Sequence, residues 1–246
     1  MTGIYRFAGI DVSFTSLYDE VHDLCSEYRT DVKTPVFCIS TDKDDISFER
    51  SRSASSDEKE GIAVREFSDS YLETLAVYRK IAEKLPEYDA FLFHGSCIAV
   101  DGEGYLFTAK SGTGKSTHAR LWRELLGDRA VMINDDKPII RFTGDELRIY
   151  GTPWDGKHRL STNISVPLKA ICILERDAEN SIEKISFRDC YSMLLQQSYR
   201  PFSNSSLAKH MMLIDRLENM AGFYRLKCNM DIEAAKTSYE AMKGNI

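Results

Sequence analysis

The 246-residue chain lacks a strong excess of either charge: 32 Lys and Arg stand against 38 Asp and Glu, a formal net charge of −6. Without an overall basic footprint, duplex nucleic acid is excluded as a default partner. No apolar run is long enough to cross a bilayer, and the opening Met-Thr-Gly-Ile-Tyr-Arg is not a signal peptide. A cytoplasmic protein with no membrane partner is expected. Clustered metal ligands are missing too. The six cysteines (Cys25, Cys38, Cys97, Cys172, Cys190, Cys228) are scattered without a C-x-x-C pair, and the histidines do not cluster. That spacing argues against a zinc site or a disulfide framework and for free thiols in a reducing compartment. There is no internal repeat and no coiled-coil pattern.

What is present is an ordinary globular composition, 43% apolar and 28% charged, which excludes wholesale disorder. The length suits one large domain or one domain with an appendage. Residues 1–88 read as an N-terminal α/β region that could pack on the core, and 89–246 as a nucleotide-binding catalytic domain. In the first part the pattern predicts a strand near Ile4 to Phe7, a helix over Ser16 to Tyr28, and a strand from Val36 to Ile39. Thr41 to Lys59 is dominated by Ser and charged residues and reads as a solvated hairpin or loop. "GIAVREF" reads as a short strand. Tyr71, Leu72, Leu75, Tyr78, Ile81 and Leu85 share one face of a helix.

From Ala90 the texture changes. "AFLFHGSCIAV" and "GYLFTA" read as strands joined by a hairpin turn at Asp101–Gly104, followed by a helix from Ser116 to Leu126. Further strands are "AVMINDD", "PIIRF", "ELRIYG", "PLKAICILE" and "FYRLKC". Helices cover Phe187 to Ser198, Ser206 to Met220 and Asp231 to Lys243, the last with Asp231 as N-cap. Strands that come in hairpin pairs predict a mixed or largely antiparallel sheet within an α/β chain.

Three motifs carry chemistry. Ser111-Gly112-Thr113-Gly114-Lys115-Ser116-Thr117 leaves a strand and opens a helix, as a phosphate-binding loop must. Its glycines let backbone N–H groups converge on phosphate oxygens, the lysine reaches the terminal phosphates, and the hydroxyl of Ser116 ligates magnesium. The usual first glycine is Ala109. About one helix later, "VMINDD" ends a strand in Asp135 and Asp136. Two adjacent carboxylates there can divide metal binding and proton acceptance between them. Upstream, His94 closes the strand "AFLFH". A further polar stretch, "GTPWDGKHRLSTN", offers Trp154, Asp155, Lys157, His158 and Arg159 for a second substrate. Arg200 in "QQSYRPF" is another cation, and Ser161, Thr162 and Ser165 are hydroxyls open to self-phosphorylation.

His-Gly at 94–95, a hairpin, S-G-x-G-K-S and a strand ending in Asp-Asp together resemble the catalytic domain of the HPr kinase/phosphorylase family. More distantly they resemble the nucleotide core of phosphoenolpyruvate carboxykinase. The "SGTGKST" loop is nearer the carboxykinase type and the His-to-Lys spacing nearer the HPr kinase type. The resemblance covers about residues 90 to 175. It implies a carboxykinase-like P-loop core with a mixed, largely antiparallel sheet and a helical C-terminal part. Carried over, it makes Lys115 and Ser116 the nucleotide and metal positions, Asp135 the proton acceptor, Asp136 its metal-side neighbour and His94 the active-site histidine, with the two aspartates free to exchange roles. The first ninety residues do not resemble that family's N-terminal domain, nor the chain's end its C-terminal signature, so regulation, the substrate HPr and the reverse reaction are not inherited. The expectation is an ATP-dependent phosphotransferase using Mg²⁺, or Mn²⁺, on a hydroxyl acceptor: a serine of a protein or peptide, or a small alcohol. A non-catalytic ATP-binding sensor or scaffold and a carboxykinase-like enzyme are the alternatives. Homo-oligomerisation is left open.

Overall fold

The computed structural model describes residues 1–244, and the chain divides into two compact units, Met1–Lys84 and a second that starts at Leu85. The first begins with β1 (Thr2–Phe7) and β2 (Ile10–Thr15), an antiparallel hairpin. Its turn is Ala8-Gly9, both at positive φ, the conformation that suits a tight hairpin. The helix expected over Ser16 to Tyr28 is shorter: α1 spans Glu20–Leu24, with a 3₁₀ turn at Ser26–Tyr28. β3 (Phe37–Ser40) lies parallel to β2. α2 (Lys43–Glu60) and α3 (Asp69–Lys84) complete the unit.

α2 corrects the reading of Thr41 to Lys59 as hairpin or loop. It is a polar helix of 18 residues whose ends are specified locally. Asp42 and Asp45 form a reciprocal capping box, and Gly61 ends the helix in the left-handed conformation. Its inner face carries charge: Arg79 of α3 donates to Glu49 at 2.5 Å and Asp45 at 2.8 Å. "GIAVREF" is not a strand. It follows the Gly61 cap, and Arg65 turns back to Asp57, donating Nη2 to Oδ1 at 2.6 Å. Glu73, fully buried on α3, accepts from Leu17 N (2.7 Å), Tyr18 N (2.8 Å) and Thr41 Oγ1 (2.5 Å).

The second unit runs β4 (Ala90–Leu92), β5 (Ser96–Val100), β6 (Glu103–Thr108), α4 (Lys115–Leu126), β7 (Ala130–Asn134), β8 (Ile139–Thr143) and β9 (Glu146–Tyr150). It continues with β10 (Ser165–Arg176), β11 (Ser181–Lys184), α5 (Phe187–Gln197), α6 (Asn204–Arg216), β12 (Gly222–Cys228) and α7 (Ile232–Met242). β11 had no clear sequence signal, being an exposed four-residue edge against β12. Asp231 precedes α7, but its side chain makes no capping bond.

The sheet is mixed, in the order β4-β8-β9-β10-β6-β5-β7, with β12 also on β10. β10 lies parallel to β6 and β12; the other pairings are antiparallel. Period-two alternation buries both faces. Cys97, Leu106, Ile171, Ile173 and Phe223 join one core with Leu194 of α5 and Leu213 and Ile214 of α6. Ile98, Phe107, Cys172, Leu174 and Leu226 join the other with Trp122 of α4 and Ala235 and Met242 of α7. Among the described residues no helix is long and apolar enough to cross a membrane.

Candidate functional site

β6 runs into the glycine loop, and the loop into α4. Gly112 and Gly114 have φ of 76° and 121°, in the region where a side chain is strained. A Cβ at Gly112 would meet nothing within 4 Å, so backbone conformation, and not space, selects glycine there. Ala109 is not among the positive-φ residues, so its methyl group fits where the usual pattern has glycine. α4 starts with no side-chain cap and no acid in its first turn. Its free N–H groups and positive dipole end are uncompensated, as an anion site requires. Lys115 is buried and donates to Ala109 O at 3.4 Å. Burial first, then the charge of Lys137, lowers its pKa against the pull of Asp136 and Asp135. Arg176, at the end of β10, donates Nε to Thr113 O (3.2 Å) and Nη2 to Gly112 O. Arg176 thus ties the carbonyls of Gly112 and Thr113 to the end of β10.

At the end of β7, buried Asn134 builds the turn that presents the two aspartates. Its Oδ1 accepts from Asp136 N (2.8 Å) and Lys137 N (2.6 Å), while Nδ2 donates to Thr152 O (2.9 Å). Asp135 accepts from Ser96 Oγ at 2.6 Å and also shares a hydrogen bond with Ser116. Burial raises its pKa, opposed by those two hydroxyls and by His158. Asp136 points elsewhere, to Lys137 Nζ at 2.9 Å and His94 Nε2 at 3.3 Å.

His94 lies just past β4, on a segment pressed against β6. A Cβ on Gly95 would come within 2.7 Å of Phe107 O, which explains the glycine after the histidine. His94 N donates to Gln197 O at 2.7 Å, His94 O accepts from Thr108 Oγ1 at 3.1 Å, and Gly95 N donates to Asp136 O at 3.0 Å. Burial, with Lys137 and Lys115 nearby, lowers the His94 pKa to about 4, against Asp136 and a hydrogen bond with the Gln197 side chain. The imidazole is therefore neutral at pH 7, and its contact with Asp136 joins a neutral ring to a carboxylate.

The structure thus brings His94, Lys115, Ser116, Asp135 and Asp136 together at one edge of the sheet. Ser96, Asn134, Lys137 and Gln197 complete the group and were not singled out in the sequence. Of the proposed acceptor segment, Trp154 and Asp155 are buried, and Asp155 accepts from Ser161 Oγ at 2.8 Å. Burial raises the Asp155 pKa, opposed mainly by Ser161. Lys157 and Arg159 are exposed. His158, from the same segment, borders a cleft of about 240 Å³ with Ser116, Arg120, Arg123 and Asp135. Arg200 is exposed. The hydroxyls are engaged internally: Thr162 donates to Met132 O at 2.9 Å and Ser165 accepts from Arg148.

Among the described residues no group of three or more His, Cys, Asp or Glu could hold a metal ion. Ser116 and Asp135 still offer two adjacent oxygens, the small donor set that suffices for magnesium carried on phosphates.

A model of the family described as SynChlorMet cassette protein ScmC matches residues 63–225. The chain belongs to that family. Among solved structures, the HPr(Ser) kinase/phosphatase from Coxiella burnetii matches with 15% identity over 51% of this chain and 96% of that one, at a TM-score of 0.26. A likeness of that size carries no functional inference. No curated protein matches the sequence.

Proposed function

We propose that the protein is an ATP-dependent phosphotransferase that uses Mg²⁺ and passes the γ-phosphoryl group to a hydroxyl acceptor, a serine of a protein or peptide or a small alcohol. The observation that carries this reading is the meeting of the glycine loop with the Ser116–Asp135 pair and the His94–Asp136 pair. Lys115 and the first N–H groups of α4 hold the phosphates in place. Ser116 and Asp135 hold the magnesium, which when bound neutralises charge on the phosphate oxygens. Asp136 takes the proton of the acceptor hydroxyl as its oxygen bonds to the γ-phosphorus and the bond to the β-phosphate oxygen breaks. Neutral His94 has a single N–H, which it spends on Nε2 toward the Asp136 carboxylate, so its role is to orient that base.

This division reverses the order expected from the resemblance, for two reasons. Asp135 already shares a hydrogen bond with the loop hydroxyl that ligates metal in such sites. Asp135 is also only 8% exposed, whereas the side chains of Asp136 and His94 are 31% and 30% exposed, so an incoming acceptor reaches Asp136 more readily.

The direct test incubates purified protein with γ-labelled ATP and magnesium against serine-containing peptides, proteins and small alcohols. Label moving to an acceptor, and lost in Lys115→Ala, supports the reading. Tight ATP binding with no transfer to any acceptor would return the protein to the sensor or scaffold class.

A further inference from the structure

Resting on that phosphate-loop reading, we propose that the base and ribose of a purine nucleotide occupy a second cavity, across α4 from Asp135, at the C-terminal ends of β10 and β12.

The topology singles out this place first. β6, β10 and β12 are mutually parallel, with Thr108 beside Ile173 and Arg176 beside Cys228. Their carboxyl ends therefore share the edge from which the glycine loop springs, where open sheets bind ligands. A cavity of about 440 Å³ lies there, within the range of roughly 300–1,000 Å³ usual for small-molecule sites. Its lining joins residues of the glycine loop, Gly112, Thr113 and Gly114, to the apolar side chains Leu121, Leu174 and Met230.

The phase of α4 turns most of this cavity away from the catalytic side, with Thr117 bordering both. Ser116, Arg120 and Arg123, at i, i+4 and i+7, border the cleft that contains Asp135. Gly114, His118 and Leu121, with the same spacing, border the apolar cavity. A nucleotide held by the loop can therefore direct its terminal phosphate to one side of the helix and its base to the other.

Two polar groups fit a nucleoside. Ser238 Oγ is within hydrogen-bonding range of His118 Nε2, Trp122 Nε1, Ala234 O and Ala235 O. A hydroxyl has one proton and two lone pairs. If it gives the proton to a carbonyl it must accept from both rings, which puts the His118 proton on Nε2. His118 Nδ1 is then a bare acceptor, and this buried atom has no partner. On a residue that lines the cavity, this unpartnered acceptor is the group that the amino group of an entering base would satisfy. At the rim, the exposed Asp177 carboxylate can accept from ribose hydroxyls, the usual acidic partner of a ribose. Reciprocal bonds between Asn180 and Asn229 fix the rim beside Met230.

The test compares magnesium-dependent binding of ATP with that of inorganic tripolyphosphate, by calorimetry, for wild type, Met230→Asp and Lys115→Ala. Met230 is 77% exposed, so its substitution leaves the core intact. The wild type should bind ATP about tenfold or more tightly than tripolyphosphate. Met230→Asp should erase that margin while leaving tripolyphosphate affinity in place, and Lys115→Ala should weaken both ligands alike. Equal wild-type affinities, or an unchanged margin in Met230→Asp, overturn the base site while leaving the phosphate loop standing. If neither ligand binds the wild type, the phosphate reading itself fails and the base site falls with it.

Discussion

The aspartate pair separates binding from chemistry, and the two neutral substitutions should behave differently. In Asp135→Asn the amide oxygen can still accept from Ser96, which sits at 2.6 Å, but the negative charge next to Ser116 is gone. Replacing one charge-assisted contact with a neutral one costs about 1.5–3 kcal/mol, which is roughly a 10- to 150-fold loss in affinity for magnesium and ATP together. In Asp136→Asn the structural loss is small, because that side chain is 31% exposed and its neighbours are Lys137 and neutral His94. ATP affinity should stay within a few-fold, while turnover falls roughly 10²–10⁴, the usual contribution of a general base. Calorimetric ATP affinity and single-turnover rates, both measured across a magnesium titration, read these effects separately. If both variants lose affinity equally and excess magnesium restores both rates, the pair is only a metal anchor and no base resides there. If the two phenotypes are interchanged, Asp135 is the base and the order implied by the resemblance holds.

Other consequences are structural. Glu73→Ala strands two backbone N–H groups and a hydroxyl, which should destabilise the first unit by about 3–5 kcal/mol. Hydrogen exchange at the Leu17 and Tyr18 amides should quicken accordingly, with Glu73→Gln in between; unchanged protection would refute the bonding. Burial lowers His118 and His210 from 6.5 to about 4. The unfolded chain then binds more protons between pH 6.5 and 4, so stability falls as pH drops through that window and levels off below it. At 1.36 kcal/mol per pKa unit each histidine accounts for up to about 3 kcal/mol. Both tryptophans, Trp122 and Trp154, lie in the second unit, so urea unfolding followed by their fluorescence reads it. His118→Gln should flatten the slope, and an equally steep profile would contradict the assignment.

The parts of the site that were legible in the sequence are those written in consecutive residues. A strand, a glycine loop and a helix need only local grammar, as does an apolar strand ending in Asp-Asp. Ser96, Asn134 and Gln197 escaped because nothing beside them in the chain marks them. Ser96 matters only once β5 lies next to β7, and Gln197 only once the end of α5 meets His94. α2 escaped for another reason: a helix with charge on its inner face has no apolar stripe to follow. Its start was nevertheless written in Asp42 and Asp45, a capping box with Asp in place of Glu. The strand expected at "GIAVREF" had alternating apolar residues but no neighbour to pair with, and period alone does not make a strand.

β10 also sets a kinetic order. Leu106, five residues before Ser111 of the glycine loop, lies beside Ile171, and Ile171 beside Phe223. Each of these parallel pairings joins positions roughly fifty or more residues apart, and such contacts repay their loop-closure entropy late. The hairpin of β5 and β6 can form early, yet it leaves the loop without the neighbour that supplies Arg176. During folding the phosphate end of the site is therefore unfinished until β10 docks, and the cavity beyond it until β12 arrives. On the proposed reading, a nucleotide would latch only onto nearly completed chains, and its capture would time the last steps of folding.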